Sequence, residues 1–273
     1  MELRELLDSA IAASSASARL LAGARAGDVR SKSNPRDLVT EWDLRSEELI
    51  RRVLDERTPG VPVLGEEGGT GGGGDDARGG LRWIVDPIDG TVNFAHGLPI
   101  WSIAIAAERA GEIVVGSVEA PALGWRMTAT RGGGAVDEHG ARMAVSAVTR
   151  LDAALLSTGF PYDRATNPDN NFADWEHLQR RAGACRRLGC ASIDLCLVAR
   201  GWLDGYWERH LKAWDVGAGA LIVTEAGGRV TDTRGGRFDA FGGDVAATNG
   251  AIHEELIAEL RVVRASANAK RTP

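Results

Sequence analysis

Trp83-Ile84-Val85-Asp86-Pro87-Ile88-Asp89-Gly90-Thr91-Val92-Asn93-Phe94 sets two carboxylates three residues apart at the end of an apolar run, with Gly-Thr directly behind them. The run Leu81 to Val85 reads as a buried strand. Pro87 cannot donate to a sheet ladder and is expected to stop it. The two aspartates then stand on a rigid bend beyond a strand end, where carboxylates can converge on a cation. Gly90 and Thr91 offer backbone N–H groups to an anion. A hard-metal site beside a phosphate site suits phosphoryl transfer or hydrolysis.

Outward from this run, the N-terminal side reads as two helices and a strand. The first helix is expected from Glu2 to Ala24, with Leu3, Leu6, Leu7 and Ile11 on one face. A polar loop follows from Arg30 to Leu38. The second helix should begin near Thr40, because Thr40-Glu41-Trp42-Asp43 resembles a capping box with Asp in the place of Glu. A short strand at Val61 to Leu64 runs into Gly65-Glu66-Glu67-Gly68-Gly69. The glycine-dominated stretch Thr70 to Gly80 is expected to be a mobile surface loop. It lacks the Gly-Lys-Ser/Thr that would close a nucleotide P-loop.

On the C-terminal side, Trp101 to Glu108 and Ile113 to Glu119 flank Ala110-Gly111 as an antiparallel hairpin, and Trp125 to Thr130 adds a strand. Beyond about Val145, short strands (Leu155 to Thr158, Leu203 to Trp207) alternate with helices at Phe172 to Ala182, Ser192 to Arg200, Val216 to Glu225 and Ile252 to Leu260. A lobe boundary near Ala144 divides an N-terminal α+β lobe, residues 1–144, from a C-terminal α/β lobe, residues 145–273.

Composition narrows the class. The chain of 273 residues with 44% hydrophobic content can build a large core. Its net charge of −6 gives no general attraction to nucleic acid or anionic membranes. No segment is apolar for long enough to span a bilayer, and the acidic, amphipathic start is unlike a signal peptide. A cytoplasmic protein is expected. Cys185, Cys190 and Cys196 are odd in number and lack a C-x-x-C pair, which suggests buried thiols and neither disulfides nor zinc. The basic residues comprise 29 arginines and only three lysines, Lys32, Lys212 and Lys270. A lysine retained among so many arginines points to a need for a compact ammonium.

Two further acidic segments join the central one. Glu66, flanked by glycines twenty residues before Asp86, can bring a carboxylate close to a metal. Asp215, in Trp214-Asp215-Val216-Gly217-Ala218-Gly219-Ala220, stands where an N-cap would, and capping alone would account for it. Together Glu66, Asp86, Asp89 and Asp215 are four hard oxygen ligands of the kind magnesium takes, with water and substrate phosphate completing its shell.

These segments, with Lys32-Ser33-Asn34-Pro35-Arg36-Asp37-Leu38-Val39-Thr40-Glu41-Trp42-Asp43, resemble in order and spacing the signature motifs of the inositol monophosphatase family. The resemblance runs from about Lys32 to Asn249. It implies a layered αβαβα sandwich of two lobes and a lithium-sensitive phosphomonoesterase using two to three Mg²⁺ ions. It also implies a homodimer. By the same resemblance Glu66, Asp86 and the Ile88 carbonyl hold one ion, Asp86, Asp89 and Asp215 the second, and a third lies near Glu66 and water. The amides of Gly90 and Thr91 bind phosphate. Thr91 hydrogen-bonds Asp43 and helps orient the attacking water, which acts in line without a phospho-enzyme.

For the substrate alcohol the resemblance points to Glu208, Asp89 and the backbone about Cys190 and Ala191. Cysteine at 190 departs from relatives that more often carry a hydroxyl or a small residue there, which bears on sugar preference. Lys32 could bring positive charge near the cluster with Asp37, and Lys212 could pair with an acid at the pocket rim. The expected reaction is hydrolysis of inositol-1-phosphate. Histidinol phosphate and a 3'(2'),5'-bisphosphate nucleotide are the alternatives, and an RNA or transcription-machinery binding role is the alternative outside enzymes. The five histidines show no metal-binding spacing and read as surface or loop residues. The arginines at 180, 181, 186 and 187 read as a helix surface or subunit contact, so nucleic acid is not the expected partner.

Overall fold

The computed structural model describes residues 1–24, 27, 29–32, 35–71 and 80–269. Most of the glycine-rich stretch from Thr70 to Gly80 lies outside them, as does Lys270.

Helix α1 (Leu3–Leu21) is followed by a hairpin of β1 (Val29–Ser31) and β2 (Leu38–Thr40), whose strands overlap both ends of the stretch expected to be loop. Helix α2 (Glu41–Arg57) starts where the capping box placed it. Thr40 Oγ1 accepts the Trp42 N–H at 3.1 Å, and the Asp43 carboxylate accepts the Thr40 N–H at 2.8 Å.

A seven-stranded sheet comprises β3 (Val63–Gly65), β4 (Gly69–Gly71), β5 (Leu81–Asp89), β6 (Ser102–Arg109), β7 (Glu112–Ala120), β8 (Trp125–Thr130) and β9 (Gly134–Val136). Its order is β4-β3-β5-β6-β7-β8-β9, with only β3 and β5 parallel. The five-stranded sheet contains β10 (Leu155–Thr158), β11 (Ala184–Arg186), β12 (Gly205–Glu208), β13 (Arg229–Thr231) and β14 (Val245–Thr248) in the order β11-β10-β12-β14-β13. The remaining helices are α3 (Thr91–Ala95), α4 (Phe172–Gln179), α5 (Ala191–Ala199), α6 (Ala213–Glu225) and α7 (His253–Ala269).

The layers follow from which faces are apolar. Leu6, Ala10, Ile50 and Leu54 of α1 and α2 bury one face of the large sheet against Trp83, Val85, Ile103 and Ile105. The opposite face, through Ile84, Ala104 and Val118, meets Leu195, Val216 and Leu221 of α5 and α6. Those two helices also cover Tyr206, Val245 and Ala247 of the smaller sheet. They are apolar on most sides because sheets lie on both sides of them, with Asp194 and Asp215 confined to their first turns. Leu178, Leu256 and Leu260 of α4 and α7 close the outer face over Trp207 and Ala246. This is the expected αβαβα sandwich. Its middle layer is unusually close-set: a Cβ on Gly116 of β7 would stand 2.7 Å from the Ala218 carbonyl of α6.

One expectation at the central motif is corrected. Pro87 does not stop the strand; β5 continues to Asp89. Asp86 pairs with Ala104 and Asp89 with Ser102, so three steps on β5 match two on β6. The extra residue makes a bulge, which tolerates a proline that a regular ladder would reject.

A second correction concerns His253. It is fully buried, with Nδ1 2.9 Å from Thr248 Oγ1 and Nε2 3.0 Å from Thr231 Oγ1. Burial, with Arg229 beside it, pushes the imidazole down to about 4. The unfolded chain therefore takes up the proton first. Stability is expected to fall as pH drops from about 6.5 to about 4 and to gain nothing further from this group below that. Urea midpoints across that range check it, with His253→Gln expected to flatten the dependence.

Candidate active site

The β5 bulge turns Asp86, Asp89 and the start of α3 toward one cleft. Asp86 Oδ1 accepts the Ile88 N–H at 3.1 Å, which fixes the side chain against its own loop. Gly90 then takes a left-handed φ of 88° to start α3. A Cβ there would lie 3.1 Å from the Ile100 carbonyl and 3.3 Å from that of Gly189, so glycine is required twice over. The first-turn N–H groups of α3 have no intrahelical partner. Thr91 Oγ1 lies 3.1 Å from Asp43 Oδ1 and 3.0 Å from the Ile88 carbonyl. The Asp43 that caps α2 thus reaches the same motif from behind.

Glu66 faces the cleft from the turn after β3. That turn is held from behind by Glu47 of α2, whose carboxylate accepts the N–H groups of Glu67 at 2.8 Å and Gly68 at 2.9 Å. Arg51 ties Glu47 to the carbonyls of Val63 and Gly69. At the front, Lys32 Nζ lies 2.7 Å from Glu66 Oε1 and 2.6 Å from Glu67 Oε1. Partial burial works against the Lys32 charge, but the two glutamates outweigh it and hold the ammonium above the ordinary lysine range.

Asp215 enters from α6, across the middle layer. The N-cap of α6 is Lys212, and not Asp215 as the sequence suggested. Asp215 is the third helical residue, and its Oδ2 accepts the Lys212 N–H at 2.6 Å. From the start of α5, Ser192 donates to Asp89 Oδ2 through its N–H at 2.7 Å and its hydroxyl at 2.6 Å, and Cys190 Sγ lies 3.2 Å away. A carboxylate at a helix N-terminus is favoured by the dipole. Glu208 closes the far wall at the end of β12.

These elements enclose a cavity of about 280 Å³. Lys32, Asp37, Glu66, Asp86, Ile88, Asp89, Gly90, Thr91, Cys190, Ala191, Glu208, Lys212 and Asp215 all line it. Of the residues singled out in the sequence, only Asp43 does not; it stands behind Thr91. The acid partner expected for Lys212 is absent among the described residues. Its side chain is exposed, and its part in the site is the N–H given to Asp215.

The cleft concentrates negative charge. Burial first, then the neighbouring Glu66, Asp89 and Asp215, push Asp86 well above the carboxylate range. Asp215 is pushed up likewise, by burial and then by Asp89 and Glu66. Glu66 is raised to about 7, mainly by burial. Crowded oxygen anions of this kind suit hard divalent cations. Among the described residues no three of the carboxylates close into a cage around an ion. Such an open set is compatible with a cation that keeps water and takes a substrate oxygen.

Similarity to known proteins settles the family. The family model described as the inositol monophosphatase family matches residues 2–265. The chain belongs to the inositol monophosphatase family. Inositol-1-monophosphatase of Rhizobium meliloti is 42% identical over 226 residues, covering 83% of this chain and 84% of that one. A Pseudomonas aeruginosa relative named Nus factor SuhB is 37% identical, covering 85% of both. The solved inositol monophosphatase from Anabaena (Nostoc) sp. superposes with a TM-score of 0.87 at 35% identity, over 96% of this chain and 97% of that one. As an inositol monophosphatase family member the chain is a phosphoric monoester hydrolase.

Sequence reasoning missed several cleft residues. Gly159, Phe160, Pro161 and Tyr162 form a wall directly after β10, and Arg187, Arg209 and His210 also line the cavity. The parallel pairing of β10 with β12 carries this loop to the same sheet end as Glu208. A parallel sheet presents its functional loops at the carboxyl ends of strands, which is the signal that could have found them.

Proposed function

We propose that this phosphatase hydrolyses a polyol phosphate monoester, with inositol-1-phosphate as its substrate, and that it depends on Mg²⁺. The observation carrying this is the gathering of Glu66, Asp86, Asp89 and Asp215 around one cleft beside the first turn of α3. Glu66, Asp86 and the Ile88 carbonyl would hold one ion, and Asp86, Asp89 and Asp215 a second; a third would stand near Glu66. The Thr91 hydroxyl has one proton to share between Asp43 and the Ile88 carbonyl, and the carbonyl keeps a lone pair for the ion either way. When bound, the ions would polarise the phosphoryl oxygens and lower the pKa of water.

The protein groups do the rest. The Gly90 and Thr91 amides orient the phosphate at the α3 terminus. Thr91, backed by Asp43, positions the attacking water on the face opposite the leaving alcohol. Glu208, Asp89 and the backbone about Cys190 and Ala191 contact that alcohol. No described side chain competes as nucleophile: the Cys190 thiol is buried and pushed well above its ordinary range, and His210 engages Asp169. We further infer lithium sensitivity, a homodimer and a cytoplasmic location from family membership. The acidic cleft favours this reading over the RNA or transcription-machinery binding role set beside it from the sequence.

Phosphate release from inositol-1-phosphate, histidinol phosphate and adenosine 3',5'-bisphosphate, with and without Mg²⁺, tests the reading. Inositol-1-phosphate is expected to be preferred, and chelation to abolish turnover. Mg²⁺ should also raise the melting temperature, since a ligand that binds only the folded state stabilises it by about 2.7 kcal/mol at a hundred times Kd. Turnover that survives chelation, or no effect of Mg²⁺ on melting, would sink the metal assignment.

A further inference from the structure

We infer that Tyr206 is a positioning residue for the substrate alcohol: its hydroxyl and the bare backbone of Gly159 together clamp Glu208 so that one carboxylate oxygen is presented to a hydroxyl of the leaving group. This rests on the polyol phosphatase activity proposed above.

Tyr206 and Glu208 are two apart on β12 and so share a face of the strand. Tyr206 is wholly buried beneath α5 and α6, where a phenol must find a partner. Its Oη donates to Glu208 Oε2. Among the described residues Glu208 Oε1 receives no hydrogen bond. On the other side Gly159 is pressed against the carboxylate, and a Cβ there would fall 2.1–2.3 Å from its three atoms. Gly159 is itself fixed. Asn171 Nδ2 donates to its carbonyl at 2.6 Å and to Thr158 Oγ1 at 2.8 Å, while Asn171 Oδ1 accepts from Trp207 Nε1 at 2.8 Å. Glu208 therefore has its rotamer set before substrate arrives, which is how a positioned acceptor gains selectivity.

The charge balance supports the same assignment. Glu208 is faced by Asp89 from β5, Asp194 from α5, Asp215 from α6 and Arg187 from the loop ahead of α5. Burial pushes its carboxyl up to about 7, while Tyr206 and Arg187 pull the other way. Without the phenol, Glu208 would hold a proton to higher pH, turning a hydrogen-bond acceptor into a donor. It would also be free to swing.

The experiment compares wild type with Tyr206→Phe on inositol-1-phosphate and on p-nitrophenyl phosphate, which has no alcohol hydroxyl, at saturating Mg²⁺ from pH 6 to 9. For the variant, KM for inositol-1-phosphate should rise about tenfold with kcat within about twofold, the loss of one hydrogen bond to a charged group. The polyol-to-aryl ratio of kcat/KM should fall by the same factor, and the acid limb of the polyol profile should move to higher pH. Gly159→Ala, which displaces the same carboxylate, should reproduce the loss of selectivity. In a Glu208→Gln background Tyr206→Phe should add nothing. An unchanged ratio, an equal loss on both substrates, or an additive loss in the Gln background each overturns the inference. If wild type hydrolyses p-nitrophenyl phosphate but not inositol-1-phosphate, the polyol reading falls instead.

Discussion

Asp89→Asn is expected to leave the protein folded and to lower kcat by about a thousandfold. Asparagine fits the same volume, so the β5 bulge and the start of α5 keep their packing. The Asn carbonyl oxygen can take over the Ser192 donors that Asp89 Oδ2 now accepts. That choice turns the NH₂ group toward the cleft, where it is a donor in place of the anionic ligand proposed for the second ion. About 4 kcal/mol of transition-state stabilisation is at stake in losing one ligand of a polarising cation. Asp89 is also among the carboxylates that push Asp86 and Asp215 up, so its neutralisation relieves repulsion in the metal-free protein. Melting without Mg²⁺ should be unchanged or slightly higher, and the increase on adding Mg²⁺ should shrink. Turnover by the variant within tenfold of wild type would remove Asp89 from the catalytic set.

Gly90→Ala should be the most damaging change that alters no charge. An alanine at φ 88° costs about 1–2 kcal/mol of backbone strain. Its methyl also meets the Ile100 carbonyl at 3.1 Å, Cys190 Cβ at 3.2 Å and the Gly189 carbonyl at 3.3 Å. None of these is the loose end of a flexible side chain, so the motif must shift. Asp89 and Thr91 are its immediate neighbours, and a displacement near 1 Å costs about a hundredfold in rate. A combined loss of a few degrees in melting temperature and about a hundredfold in kcat is expected. Thermal melts and initial rates on the same preparation separate the two effects. A variant that melted lower yet kept full kcat would show that the turn serves the fold alone.

The central motif was legible because its chemistry is local. Asp86, Asp89, Gly90 and Thr91 are contiguous, and a capping box such as Thr40–Asp43 is written within four residues. What could not be read depends on distant partners. Pro87 looked like a strand terminator because nothing in the sequence shows that β6 would be paired out of step to admit a bulge. Lys212, a poor capping residue, took the N-cap of α6 because Asp215 one turn on folds back to its N–H. Glu47 carries no motif, yet it builds the turn that presents Glu66 by accepting two backbone N–H groups some twenty residues ahead. The buried placement of His253 likewise depends on two threonines from different strands. Pairwise tertiary contacts of this sort leave no periodicity to find.

The contact of Gly116 with α6 has a consequence for redesign of the cleft. Because a strand backbone and a helix backbone touch there without side chains between them, the core acts as a fixed-length spacer between the acids of β5 and Asp215 on α6. A methyl group added at 116 would push α6 away from β7 and against the smaller sheet that it also covers, so the gap between the acids and the seat of Glu208 would shift together. The width of the cleft and its hold on the alcohol are therefore set from one point in the interior of the molecule, where both sheets bear on the same helix.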